Sequence, residues 1–178
     1  MRPSLRWPAL ILAAALIASG CASKTKPEPN KPAPVVKKDL TFIEGVDITT
    51  LDPAFATDRP TQTVLRHLYE NLVDTDPATG GVKPWLATSW KVSDDKRTWT
   101  ITMKSGAKFS DGTPLNAAAA KATLERLLDS KLAAPNRSLL STVTAVEAVS
   151  DTELKITTKE PFAPLLENLA HPGAAILP

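Results

Sequence analysis

The chain has little of what disulfide, metal or catalytic chemistry requires. Its 178 residues include one cysteine, two histidines, one tyrosine and seven glycines, and aromatics make up 5%. A single cysteine, Cys21, excludes an intrachain disulfide. His67 and His171 stand far apart and no calcium-loop spacing of carboxylates occurs, so neither a zinc nor a calcium site is expected. Gly-x-Ser-x-Gly, His-Glu-x-x-His and a glycine-rich phosphate loop are missing. Asp94, Asp95, Asp111 and Glu125 are carboxylates of the kind used in acid–base work, but the aspartates fall where turns need them. No enzyme activity and no cofactor are expected. His67, alone on a helix, reads as a surface or core residue, and His171, before a proline at a helix end, reads as structural, with a cleft role as its alternative. The formal charge of +2 comes from Arg2 and Arg6, since no acidic residue precedes Cys21. Without a basic cluster beyond Lys37-Lys38, the chain offers little to phosphate backbones, which excludes nucleic acid as a partner.

What is present begins with a basic start, a short apolar run from Ala9 to Ile17, and Ala18-Ser19-Gly20-Cys21. The run is too short to span a bilayer and has the layout of a secretory signal peptide over 1–20. The junction resembles a bacterial lipobox, which implies that Cys21 carries acyl chains such as palmitate and moors the protein to a bilayer without crossing it. An unmodified free cysteine is the alternative. Ala22 to Lys37 interleaves lysines with prolines and holds almost nothing that packs. At about 3.1 Å per residue an extended segment of this kind reaches roughly 50 Å, so 21–38 reads as a tether, or alternatively as a basic arm on the membrane.

From Thr98 to Lys104, polar Thr98, Thr100, Thr102 and Lys104 alternate with Trp99, Ile101 and Met103, the period of a strand with one buried face. Ser93-Asp94-Asp95-Lys96 is turn chemistry, which places Trp90 and Val92 on a partner strand. Ser105-Gly106 and Asp111-Gly112 mark two further reversals around an apolar plug, Phe109. The ordered run of Trp90, Asp94-Asp95, Trp99, Lys104-Ser-Gly-Ala-Lys-Phe109 and Asp111-Gly-Thr-Pro114 resembles the signature of the family-5 solute-binding proteins, the extracytoplasmic receptors of peptide-type ABC importers.

Upstream, Leu40-Thr41-Phe42-Ile43 predicts a first strand, with Glu44-Gly45-Val46-Asp47 as its exit loop and Leu51-Asp52-Pro53 after it. Val64, Leu65, Leu68 and Leu72 recur at helical spacing behind Pro60, and Asp76 to Gly81 reads as a turn. Asn116 is a good N-cap for a helix from Ala117 to about Asp129, with Ala117, Ala120, Leu124, Leu127 and Leu128 as its apolar stripe. Ala119 stands where a capping box would need an acid, and Lys121 and Glu125 are spaced to pair. Thr142 to Thr158 predicts a hairpin turning at Ser150-Asp151-Thr152, with Val143, Ala145, Val149, Leu154 and Ile156 as apolar positions. Pro161-Phe162 leads to a short helix from Pro164 to about Leu169. The run Asn116 to Arg126, with Pro161-Phe162 and Leu169-Ala170-His171-Pro172, is similar to the glutathione- and peptide-binding branch of the family.

The resemblance covers Leu40 to Pro178 and implies an α/β fold, a mixed α+β subdomain like the periplasmic-binding-protein type II class. Family members are roughly three times longer, which implies that 39–178 holds only the N-terminal part of lobe I. It implies that Glu44, Gly45, Val46 and Asp47 look into a ligand cleft; a simple turn at Gly45 with a solvated Asp47 explains the same residues equally. The implied function is capture of a peptide-like solute (oligopeptide, dipeptide or glutathione) outside the cytoplasmic membrane. A monomer would then deliver it to ABC permease subunits. A lipid-anchored interaction or sensor protein, or a truncated remnant, is the competing reading. If a complete clamp binds at about −8 kcal/mol, half its contacts leave roughly −4, or millimolar affinity, so the fragment alone is expected to be a poor receptor.

Overall fold

The computed structural model describes Thr41, Ile43 and residues 45–178. The signal segment, Cys21, the tether, Leu40, Phe42 and Glu44 lie outside the described residues. The chain divides into units 1–42 and 43–178, and the sheets and helices described below lie in the second.

Among the described residues, two antiparallel sheets and three helices form a mixed α+β layer. A small sheet pairs β1 (Val73–Thr75) with β2 (Val82–Pro84). The larger has four strands in the order β3-β4-β6-β5, where β3 is Ala87–Val92, β4 Thr98–Met103, β5 Val143–Ala148 and β6 Glu153–Thr158. The helices are α1 (Arg59–Leu68), α2 (Ala117–Leu128) and α3 (Leu165–Leu169), and 3-10 turns occupy Pro53–Phe55, Pro135–Leu140 and Pro172–Ala174.

The alternation in β4 produces the burial it predicts: Trp99, Ile101 and Met103 are buried, while Thr102 is exposed. β4 pairs on both sides, with Trp90 opposite Ile101 and Val92 opposite Trp99 in β3, and with Trp99 opposite Ile156 and Ile101 opposite Leu154 in β6. The Ser93–Lys96 turn closes through the Ser93 N–H to Thr98 O at 2.9 Å and the Lys96 N–H to Ser93 O at 2.8 Å. Gly106 (φ 73°) and Gly112 (φ 88°) sit in the left-handed region that a Cβ disfavours, as the two reversals require.

α2 lies on β5 and β6 and closes the core. Asn116, extended at φ −135°, accepts the Ala119 N–H on its Oδ1 at 3.1 Å and so satisfies an orphan donor of the first turn. Ala117, Ala120, Thr123, Leu124 and Leu127 are buried, and Lys121 meets Glu125 at 2.9 Å.

Three expectations need correction, and one element was not expected. Thr41 and Ile43 lie outside any strand, and Ile43 is 94% exposed. A strand requires a neighbour for its N–H and C=O groups, and neither sheet pairs with this segment among the described residues. α1 stops at Leu68 because Tyr69 turns extended (φ −128°, ψ 157°), which leaves Leu68 exposed and carries Leu72 into the core from beyond the helix. In the hairpin, Val149 is exposed and Val146 buried, since a register shift between Val143 and Ala145 changes the alternation of β5. The β1–β2 hairpin, too short for a readable period, bridges the Asp76–Gly81 turn.

Ile101→Ala, at a fully buried site on the central strand, should cost about 2–5 kcal/mol of unfolding free energy. Val149→Ala should stay within about 0.5 kcal/mol, both read from urea unfolding midpoints.

Candidate functional site

The segment from Gly45 to Asp58 has almost no regular structure, yet its backbone is held from three elements. Asp58 caps α1, accepting the Thr61 N–H on Oδ1 at 2.9 Å and the Thr49 hydroxyl on Oδ2 at 2.8 Å. Thr61, fully buried, accepts the Thr49 N–H at 2.9 Å. From α2, Arg126 grips Asp52 with both arms, Nη1 to Oδ1 at 3.2 Å and Nη2 to Oδ2 at 2.6 Å. Asp52 also caps the Pro53–Phe55 turn by accepting the Ala54 N–H at 3.0 Å. From the Pro135–Leu140 turn, buried Asn136 donates its amide to Pro53 O at 2.8 Å and Ala56 O at 3.0 Å. The Thr49, Ala54 and Thr61 N–H groups and the Pro53 and Ala56 carbonyls are thereby satisfied rather than left to water, while Arg126 holds the Asp52 side chain.

A loop held this way presents what it does not bury. Val46, Ile48, Leu51 and Phe55 are all exposed, so an ordered backbone displays apolar side chains along one stretch. Of the four residues expected at the cleft, Glu44 is outside the described residues, and Gly45, Val46 and Asp47 are exposed. A Cβ on Gly45 would meet nothing within 4 Å, so no close approach demands glycine there. The three residues run into the anchored loop.

Cavities open elsewhere. Two flank the extended Tyr69-Glu70 step: one of about 380 Å³ lined by Arg66, Tyr69, Asp74 and Trp85, the other of about 260 Å³ lined by Tyr69, Phe109, Leu115 and Ile176. In the first, Asp74 lies 3.7 Å from Arg66 and 3.3 Å from Lys83. Lys83 and Lys104 place their ammonium groups 5.7 and 5.8 Å from the Trp85 ring centre, within cation–π range. A third groove of about 560 Å³ runs between the Val92–Lys96 turn and Phe162, with Trp99 along it.

The carboxylates are tuned as acceptors. Burial pulls the Asp52 carboxyl upward, but the Arg126 hydrogen bond, the Ala54 N–H and the Arg126 charge together outweigh it and leave it below its ordinary value. Asp95 is lowered by the Ser93 hydroxyl and the Arg97 N–H, and Asp111 by the Thr113 hydroxyl and N–H. A general acid near neutrality needs the opposite shift. Glu125 is occupied by Lys121, and Asp94 sits on the rim of the third groove. His171 is half-buried, its Nδ1 accepting the Gly173 N–H at 3.0 Å; burial, and then the Arg66 charge, lower its pKa. That cap is the structural role expected of it.

Most anchors of the loop have no local signal in the sequence. Asp58 ahead of Pro60 is the exception, carrying a visible cap signal. Asp52 with Arg126, and Asn136 with Pro53, are separated by 74 and 83 positions, and no spacing rule reaches that far.

The family model of bacterial extracellular solute-binding proteins, family 5 Middle, matches residues 81–178. The glutathione-binding protein GsiB of Escherichia coli K12 is 39% identical over 140 residues, covering 79% of this chain and 27% of that protein. The probable D,D-dipeptide-binding periplasmic protein DdpA of the same organism is 40% identical over 147 residues, covering 80% and 28%. The crystal structure of Haemophilus influenzae OppA in complex with RPPGFSPFR superimposes with a TM-score of 0.71 at 28% identity, over 75% of this chain and 29% of that one. The chain thus spans about a quarter of the length of the curated relatives it matches.

Because Asp52 is held below the ordinary carboxylate range, its stabilising pairing is present above pH 3.8 and is lost as pH falls through its lower folded value. Arg126→Ala should cost about 1 kcal/mol or less at neutral pH, as suits a partly exposed pair, with the difference from wild type vanishing in acid. Urea midpoints at both pH values check this.

Proposed function

The chain belongs to the bacterial extracellular solute-binding proteins of family 5, and we propose that it forms the opening part of a receptor that captures peptide-like solutes for an ABC importer. The observation that carries this reading is the family match, which spans the β3–β6 sheet and continues to Pro178. The relatives named for glutathione and D,D-dipeptides, and the solved relative holding a nonapeptide, point to a ligand rich in amide and carboxylate groups. Such a ligand is recognised through backbone hydrogen bonds of the kind a strand makes, with pockets for varied side chains. Binding and release require no covalent chemistry, and no catalytic residue is assigned.

Within this reading Glu44, Gly45, Val46 and Asp47 edge the cleft, and the anchored Gly45–Asp58 segment is its rigid rim. Pinning the backbone beforehand lowers the ordering cost that a ligand would otherwise meet. Asp47 supplies a carboxylate for a peptide amino group. Cys21 carries the acyl chains, the proline-rich tether spaces the receptor from the bilayer, and the protein works outside the cytoplasmic membrane beside its permease.

Calorimetric titration of glutathione, dipeptides and mixed oligopeptides into the protein at the full length of its relatives should give about micromolar affinity, and the 178-residue chain alone about millimolar. Asp47→Asn should weaken binding at full length by roughly 10-fold, the scale of one hydrogen bond to a charged group. Heat from none of these solutes at full length overturns the reading.

Metabolic labelling with a palmitate analogue should mark the wild-type chain and leave Cys21→Ser unlabelled and released from membranes. Labelling that survives the substitution removes the anchor.

A further inference from the structure

The Asp52–Asp58 loop is tied to the end of the described chain through one side chain. Asn136 Nδ2 holds the carbonyls of Pro53 and Ala56, and a Cβ on Gly173 would come within 2.6 Å of Asn136 Cγ. The amide is therefore clamped between the loop and the Pro172–Ala174 turn. His171 caps that turn, its Nδ1 accepting the Gly173 N–H at 3.0 Å, while Asn71 Nδ2 holds the His171 carbonyl at 2.8 Å. A neutral imidazole nitrogen can accept this bond; a protonated imidazole only donates.

We propose that His171, Gly173 and Asn136 form a proton-sensitive latch on the Asp52–Asp58 loop, closed when the imidazole is neutral and loosened when it takes up a proton. Protonation takes the acceptor from the Gly173 N–H and frees the turn that confines Asn136. The Pro53 and Ala56 carbonyls then lose their rigid donor. The inference rests on the receptor reading only in giving the loop a purpose, since acid release at the cleft rim would favour unloading of solute.

Arg66 on α1 is the charge that acts on the ring, itself 3.7 Å from Asp74 on β1. The other elements packed on the turn bring Asp52 and Arg126, which hold each other, and Arg137, whose Nε donates to Leu128 O. Burial, followed by Arg66, favours the neutral ring. An unfolded histidine takes its proton near pH 6.5, before the folded one, so the latch is shut at neutrality, and the fold begins to lose stability below that value and goes on losing it until pH passes the lower folded one, where the latch opens.

Hydrogen exchange by NMR on the full chain tests this, through protection factors at Ala54, Phe55, Ala56 and Gly173 measured at ~pH 7.5 and ~pH 4.5, above the range where Asp52 titrates. In wild type these amides should lose roughly 2- to 10-fold protection in acid, the scale of one lost hydrogen bond. His171→Asn, whose Oδ1 accepts the same N–H without titrating, should abolish the difference. Asn136→Ala should expose Ala54 to Ala56 at neutral pH and leave the Gly173 amide protected. An acid loss of equal size in His171→Asn, or pH-independent protection in wild type, overturns the latch. The measurement contains no solute, so its failure leaves the receptor reading standing.

Discussion

One strand supports the rest of the described unit. β4 is paired on both edges and buries Trp99, Ile101 and Met103 against the layer that α2 closes. Its neighbours inherit their facing from it: Leu154 and Ile156 in β6 stand opposite Ile101 and Trp99 and are fully buried. A one-residue slip of β4 would turn the threonines inward and the tryptophan outward, so the pairing register and the buried face are a single choice. α2 then has one productive orientation, with Ala117, Ala120, Leu124 and Leu127 buried and Lys121 and Glu125 at the surface.

From that platform the irregular Gly45–Asp58 segment acquires its shape. Little of it is regular structure; Thr61 of α1 and Asn136 of the Pro135–Leu140 turn bond its backbone, and Arg126 of α2 holds its Asp52 side chain. The arrangement leaves Leu51 and Phe55 exposed on a backbone that these bonds hold. Through Asn136 and Gly173 the same segment is connected to His171, a side chain of the type whose charge changes near physiological pH.

Legibility of the sequence followed the range of the forces involved. The β3–β4 and β5–β6 hairpins, the Asn116 cap and the two glycine reversals depend on residues a few positions apart, and alternation or turn chemistry displayed each of them. Val149 and Leu68 fit the apolar pattern yet lie outside the core, because a register shift in β5 and an extended Tyr69 change the period locally. The cleft role of Glu44 to Asp47 came from likeness alone, and the Arg126 and Asn136 bonds to the segment after them connect residues more than seventy positions apart.

The amino-acid order by itself determined the β3–β4 and β5–β6 hairpins, the second helix, the buried faces of β4 and α2 and, through the Trp90–Pro114 signature, the family, because periodicity and turn preference are local physics. Tertiary structure alone decided which carboxylate meets Arg126, which carbonyls Asn136 holds, and that Gly173 must lack a side chain beside it. Those contacts arise only once β4 and α2 bring distant segments together. Burial then makes each unsatisfied polar group costly enough to select its partner.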